Sequence, residues 1–174
     1  MPRPALVARD GPVVLPHRAR LAALGLEPVA EVENHHNFAW KETHEVDGQR
    51  RDVVVHRKGA TPAGAGVLGV VPGSQGHPSY VVRGRGSAAS LSSASHGAGR
   101  RMGRRHAVRT LDPADRDAWL AARGVELLGS GMDEAPQAYK DIDEVLALQA
   151  DLARPVAAFH PEVVLMASDG KSEG

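Results

Sequence analysis

The sequence predicts an α+β fold, with mixed strands and helices rather than a regular βαβ alternation. Three observations predict it. An Asp47-Gly48 turn signal separates two extended runs. The Gly-, Ser- and Ala-rich stretch from Gly59 to Gly99 is broken by short β-branched runs, not by helical periodicity. Beyond Gly99 the apolar spacing turns helical. A length of 174 residues suits one domain or a large fragment of one. The apolar content of 42% allows a core, but with aromatics at 3% that core rests on Val, Leu and Ala.

The elements follow in order. Residues 1–28 are interrupted by Pro2, Pro4, Pro12, Pro16 and Pro28 and form a poorly defined segment, with a short helix over Arg18–Leu24 ended by Gly25. Residues 29–168 form the main portion and 169–174 a tail. Glu31–Trp40 is extended. Phe38–Val46 and Arg51–His56 form a hairpin across Asp47-Gly48, and Asp52–His56 is a run of the buried-strand type. Val67–Val71 and Tyr80–Arg83 are strands joined by tight turns, an arrangement that brings many backbone amides to one place. Arg100–Arg109 reads as one basic helix. Asp112 caps a second helix that enters through Pro113 and runs to about Arg123. Val125–Leu128 is a strand. Ala138–Leu152 is the clearest helix, with Ile142, Val145, Leu146, Gln149 and Leu152 on one face. Val163–Met166 is the last strand.

Composition excludes some chemistry. With no cysteine there is no disulfide framework and no thiolate metal site. No signal peptide and no membrane span is expected, so a cytoplasmic protein is the default. Net charge is zero, but the zero hides a segregation. From Val53 to Leu111 there is no Asp or Glu and there are nine cations, leaving 12 cations against all 21 anions elsewhere. A basic middle between acidic flanks suggests a polyanion partner. A preference for Arg over Lys (17 to 4) explains the choice of cation, not the disappearance of acids.

Five segments carry candidate chemistry. In Asn34-His35-His36-Asn37 two adjacent histidines on a strand face opposite ways, so one imidazole can serve a given metal; a structural histidine is the commoner alternative. Arg57-Lys58-Gly59-Ala60 can grip a phosphate or be a solvated strand end. Pro72-Gly73-Ser74-Gln75-Gly76, with Ser79 after it, suits a turn whose amides face an anion or a base, or a plain β-turn. In Ser95-His96-Gly97-Ala98-Gly99-Arg100 a histidine sits in a small-residue loop ahead of the basic helix. Arg100 and Arg104, at i and i+4, would share one face and hold phosphate oxygens, and imidazole is a competent nucleophile toward phosphorus. The alternative is a glycine-rich turn before a surface helix. Tyr139, in Asp133-Glu134-Ala135-Pro136-Gln137-Ala138-Tyr139, can stack on a base or be a partly buried structural tyrosine.

Taken in order, these segments resemble the RtcB family of RNA-splicing ligases. The family's His-Asn appears as His36-Asn37, its Arg-Lys-Gly-Ala as Arg57 to Ala60 and its Pro-Gly-Ser as Pro72 to Ser74. Its Ser-His-Gly-Ala-Gly-Arg stands at Ser95 to Arg100, and its Asp-Glu-x-Pro-x-Ala-Tyr-Lys-Asp-Ile at Asp133 to Ile142. The resemblance spans His35 to Met166 and implies the carboxy-terminal part of that ligase fold. It implies joining of RNA 2′,3′-cyclic phosphate or 3′-phosphate ends to 5′-hydroxyl ends, with GTP and Mn²⁺, in tRNA splicing and RNA repair. His96 would carry GMP, and His36 would be a Mn²⁺ ligand. Asn37, Pro72, Gly73, Ser74, Gln75, Ser79, Gly97, Ala98, Gly99 and Tyr139 would contact the nucleotide. Arg57, Lys58, Arg100 and Arg104 would contact phosphate or RNA.

The chain also departs from the family. Its Asp-x-x-Cys, its Gly-x-Gly-Asn-His and a further ligand histidine are absent, Gln75 replaces Met, and Gly103 replaces Ser. Where the family ends in Lys-Gly, Ala167-Ser168 stands here, with Lys171 shifted beyond it. The expectation is therefore a truncated or split ligase, weak or inactive alone, whose partners are RNA, GTP and a separate chain supplying the amino-terminal half. The alternative is a non-catalytic RNA- or nucleotide-binding remnant.

Overall fold

The computed structural model describes residues 4–9 and 21–166. The tail, Lys171 and residues 18–20 of the expected Arg18–Leu24 helix lie outside the described residues. Residues 21–23 are helical, and Gly25 at φ +67° ends the turn, as expected.

The chain forms two compact units. The first comprises residues 1–70, 81–96 and 149–156, and the second residues 71–80, 97–148 and 157–174.

In the first unit, β1 (Pro4–Arg9) pairs in parallel with β2 (Glu27–Glu33). The predicted hairpin follows: β3 (Asn37–Val46) and β4 (Gln49–Lys58) are antiparallel, from Asn37 opposite Lys58 to Val46 opposite Gln49. Asp47 and Gly48 stand at φ +53° and +72°. A two-residue type I′ turn demands both values, and Asp-Gly supplies them at low cost. Side chains alternate along the hairpin. Trp40, Glu42, His44 and Val46 are half-buried, and Val55 and Arg57 are buried. Lys41, Thr43, Glu45, Val54 and His56 are exposed. Gly59 turns the chain from β4 into β5 (Ala60–Pro62), and the later β8 (Ser93–Ser95) pairs antiparallel with β5.

Three strands form one sheet: β6 (Leu68–Val71), β7 (Ser79–Gly84) and β10 (Ala153–Phe159), with β7 central. The first unit holds residues 68–70, 81–84 and 153–156 of them. β6 and β7 are the two β-branched runs expected within the glycine-rich stretch. β10 was not expected; it starts directly after the predicted Ala138–Leu152 helix. Small and β-branched side chains fill this unit, among them Val55, Ala63, Val81, Val82 and Ala94, as the scarcity of aromatics requires.

In the second unit, α1 (Arg104–Thr110) begins at Gly103. This corrects the expected Arg100–Arg109 helix. Arg100 instead forms an isolated antiparallel bridge with Tyr139, Lys140 N–H donating to Gly99 O (3.0 Å) and Arg101 N–H to Ala138 O (2.9 Å), and the chain bends at residues 101–102 before the helix. α2 (Pro113–Ala121) has the predicted cap, Asp112 Oδ1 accepting from Ala114 N–H at 2.8 Å. β9 (Glu126–Gly129) and β11 (Val163–Leu165) pair in parallel. Leu120, Val125 and Val164 form a core with Trp119, Leu127 and Met166 packed on it. The expected long helix is cut to α3 (Ile142–Leu148). Pro136–Ala138 forms a 3₁₀ turn, and Asp141 Oδ1 accepts the amides of Asp143 and Glu144 (2.8 and 3.3 Å). A side-chain cap at Asp141 offers the backbone an end to the helix that apolar periodicity alone does not reveal.

Candidate functional site

Residues of the candidate site fall in both units, and each group is built locally. In the first unit, Gly59 is the hinge. At φ +72° it adopts a left-handed conformation that glycine takes without penalty. Its N–H donates to His36 O (3.2 Å), and its carbonyl accepts from His96 N–H (3.4 Å). The result is a parallel stack of the His36 and His96 rings, with centroids 5.1 Å apart and planes 7° apart. His35 faces another way, 5.5 Å from the Phe38 ring and 6.0 Å from Trp40. The two adjacent histidines thus diverge as expected. They do so from the linker between β2 and β3 rather than from within a strand. Asn34 fixes that linker, its Nδ2 donating to Val70 O at 2.8 Å. Asn37 opens β3 and is exposed opposite exposed Lys58.

Arg57 corrects an expectation. Its side chain is 2% exposed. Its Nη1 and Nη2 donate to the two carboxylate oxygens of Glu42 (2.5 and 3.0 Å). Nε donates to Ser93 Oγ (2.8 Å), and Nη2 also to Leu91 O (2.9 Å). A buried guanidinium must be paired, and this one is spent inside the unit, out of reach of an RNA phosphate. The hydrogen bond from Arg57 holds the Glu42 carboxyl below its usual value, with His44 adding to the effect against the opposing influence of burial.

His96 itself follows strand β8. It does not stand at a helix N-terminus, because α1 starts only at Arg104. Ser95 N–H donates to Gln149 Oε1 at 2.8 Å, so a distant side chain pins the residue before the histidine. Gln149 Nε2 is buried without a hydrogen-bond partner.

In the second unit, the Pro72–Ser79 loop closes on itself. Gly73 N–H donates to Ser79 Oγ (3.0 Å), and Ser74 Oγ lies 2.6 Å from His77 Nδ1. His77 packs on Trp119, centroids 5.0 Å apart, and burial pushes its pKa down. Gln75 is fully buried: Nε2 donates to Ser130 Oγ (2.5 Å) and Gly131 O (3.2 Å), while Oε1 has no partner. Gly97 lies against this loop, where a Cβ would stand 3.5 Å from Pro72 O. Ala98 and Gly99 follow, Gly99 exposed at φ +73°.

Arg100 and Arg104 do not share a helix face, and acids occupy both. Arg100 Nη1 lies 3.4 Å from Glu134 and donates to Tyr139 Oη at 2.8 Å. Its Nε donates to Met102 O (3.1 Å) and its Nη2 to Asp133 O. Arg104, 61% exposed, reaches Asp133 and Glu134 at 3.5 and 3.6 Å. The acid-free stretch is therefore neutralised here by acids from outside it. The Tyr139 hydroxyl donates to Glu134, and burial together with that bond raises its pKa to about 12. Arg100 lies over one face of the Tyr139 ring, 4.8 Å from the centroid, so a stacking base would take the opposite face.

Three residues had no site role assigned from sequence: Glu42, Gln149 and Asn34. Glu42 had a signal, since strict alternation along the hairpin puts it on the same inward face as Arg57. Gln149 and Asn34 act at long range and had none.

A manganese ion needs several oxygen or imidazole donors converging on one point. Among the described residues no group of three or more His, Asp or Glu is placed to hold a metal ion. His36 therefore supplies one ligand at most, and the described residues do not fit the ion as a set. No helix of the described residues is long and apolar enough to cross a membrane.

Residues 15–167 match the protein family described as tRNA-splicing ligase RtcB. The RNA-splicing ligase RtcB of Escherichia coli K12 is 41% identical over 126 residues, covering 72% of this chain and 30% of the relative. The Mycobacterium tuberculosis RNA-splicing ligase RtcB is 41% identical over 145 residues, covering 72% of this chain and 34% of the relative. The tRNA-splicing ligase RtcB of Aeropyrum pernix is 39% identical over 158 residues, covering 79% and 32%. The chain spans about a third of the length of these relatives.

Proposed function

Because this chain belongs to the RtcB family of RNA-splicing ligases, we propose that it provides the nucleotidyl-carrying portion of an RNA ligase that joins 2′,3′-cyclic phosphate or 3′-phosphate ends to 5′-hydroxyl ends. The observation that carries the reading is the family match across residues 15–167, with Ser95 to Arg100 intact around His96. In this reading an unprotonated His96 nitrogen attacks the α-phosphorus of GTP. A P–N bond forms, the bond to the β-phosphate oxygen breaks, and pyrophosphate leaves. The GMP passes to an RNA 3′-phosphate, and a 5′-hydroxyl then displaces it, its proton going to solvent or a base. The hinge at Gly59 and the His36 stack orient the imidazole. In the same reading the Pro72–Ser79 loop and Gly97, Ala98 and Gly99 take the nucleotide, and Tyr139 stacks on the base with the face away from Arg100.

Manganese is proposed as the metal of the reaction, with His36 as one ligand. The others would come from family elements that the described residues do not include, in the same protein or in a separate chain. A second reading, a nucleotide- or RNA-binding protein without ligase activity, is favoured by one observation: the described residues assemble no metal-ligand set.

The test is incubation with GTP and Mn²⁺ followed by intact mass. A GMP-sized increment on the wild-type chain that is absent from His96→Ala supports the ligase reading. A folded wild-type chain that gains no increment, with or without the amino-terminal portion of a relative added in trans, sinks it and leaves the binding reading.

A further inference from the structure

Leu91 and Ser92 are consecutive non-glycine residues in left-handed backbone, at φ +50° and +51°. This conformation is disfavoured for any residue with a Cβ, and for a bulky one it marks a backbone held in place by its surroundings. The Leu91 side chain does not hold it, being 37% exposed. Backbone bonds contribute, with Ser92 N–H donating to Ser87 O (2.9 Å) and Ala63 N–H to Ser92 O (2.6 Å). The charged group at the turn is Arg57, whose donors reach Leu91 O and Ser93 Oγ on either side of Ser92. The next residues are β8 and then His96.

Arg57 faces two ways. One edge of the guanidinium meets the Glu42 carboxylate, and the rest holds the turn. Its carbon Cζ lies 5.2 Å from the centroid of the Trp40 ring. A planar fork with donors in several directions can do this; a lysine ammonium cannot reproduce it. A buried ion pair is a poor way to gain stability alone, since apolar residues of the same volume serve as well. Two residues beyond Arg57, Gly59 bonds both His36 and His96. Arg57 therefore ties the strand that leads to the hinge to the strand that carries the histidine.

We propose that Arg57, with Glu42 as its counter-ion, is a positioning residue for His96, acting through the left-handed Leu91–Ser92 turn. The effect on catalysis rests on the reading of His96 as the nucleophile; the effect on where the ring sits does not.

The experiment compares the full chain with Arg57→Lys, Leu91→Gly and the double variant. The first readout is the shift of the His96 ring proton resonances caused by the stacked His36, calibrated with His36→Ala. The second is the rate of GMP attachment to His96. Arg57→Lys is expected to lose most of the stacking shift and to slow attachment by about tenfold or more, since small misplacements of a reacting group are costly. Leu91→Gly alone leaves both readouts near wild type. In the double variant, glycine adopts the left-handed turn freely and recovers at least half of each loss. Should Arg57→Lys not fold, Glu42→Gln loosens the same clamp and is expected to shift the His96 resonances in the same direction. An Arg57→Lys chain with a lower Tm but unmoved His96 resonances overturns the proposal, as does a double variant no better than Arg57→Lys. If the wild type takes up no GMP, the ligase reading fails while the resonances still decide the positioning role.

Discussion

Substituting Gly73 by alanine tests whether the Pro72–Ser79 loop is a packed, preformed turn. Gly73 has no unusual φ, so the cost is steric. A Cβ there would overlap the carbonyl oxygens of Pro78 and His77 and stand 2.8 Å from the His77 carbonyl carbon. These are backbone atoms that cannot rotate away, so the 77–78 segment must retreat. Overpacking of this kind costs about 1–3 kcal/mol. Retreat also strains two hydrogen bonds, Gly73 N–H to Ser79 Oγ and Ser74 to His77, each contributing about 0.5–1.5 kcal/mol. Together the loss is about 2–6 kcal/mol, or roughly 4–24 °C in Tm for a chain of this size. The control is Gly103→Ala, where a Cβ meets nothing within 4 Å and the backbone φ is −69°. Its only cost is a poorer cap, about 1 kcal/mol or less. Calorimetry of the two variants beside the wild type is the assay. A Gly73→Ala chain melting no lower than Gly103→Ala would refute the packed turn and, with it, the nucleotide role given to the loop.

Gly59→Ala forces a Cβ into φ +72° but meets the His96 ring only at 3.7 Å, so it should cost about 1–2 kcal/mol in a denaturant melt while leaving the His36–His96 stack detectable by NMR. Gly103→Ser adds the side-chain acceptor that α1 lacks at its N-cap and should raise stability by a few tenths of a kcal/mol, read as a higher urea midpoint at unchanged slope. Two depressed groups set the acid limb of stability. His77, below its usual 6.5, contributes stability that is whole above pH 6.5 and declines as pH falls below it. Glu42, below its usual 4.5, contributes stability present above pH 4.5 and lost as pH falls through its lowered folded pKa. Melts from pH 8 to 3 should show both slopes, with His77→Phe flattening the upper one and Glu42→Gln the lower. At the alkaline end Tyr139, raised to about 12, favours the folded state below pH 10.0 and loses that contribution as pH rises toward 12, so in the native chain its phenolate absorbance should appear only near pH 12.

The elements read correctly from the sequence are those whose signal is local. Asp47-Gly48 dictated the hairpin because a two-residue turn needs two left-handed residues, and Asp112-Pro113 dictated the start of α2 because a cap and a fixed φ act within one turn. The motif around His96 and its companions, in order, pointed to the RtcB family without any contact being known. Tertiary structure decided what local chemistry leaves open. Arg100 and Arg104 read as a basic helix face because their spacing is four. They are instead drawn onto Asp133, Glu134 and Tyr139, and pairing with residues 138–140 keeps the chain out of helix until Gly103. Ala138–Leu152 has helical periodicity at both ends, but Asp141 starts α3 and the run past Leu148 turns into β10. The role of Arg57 was least legible. A basic pair before a glycine looks like a phosphate grip until burial is known, and the cost of an unpaired buried cation turns it toward Glu42 and the turn before His96. Sequence alone determined the family and the order of its motifs. Long-range packing decided that Arg57 is buried on Glu42 and the turn at Leu91 while Arg104 stays largely exposed beside Asp133 and Glu134, because a buried cation must be paired and a surface one need not be.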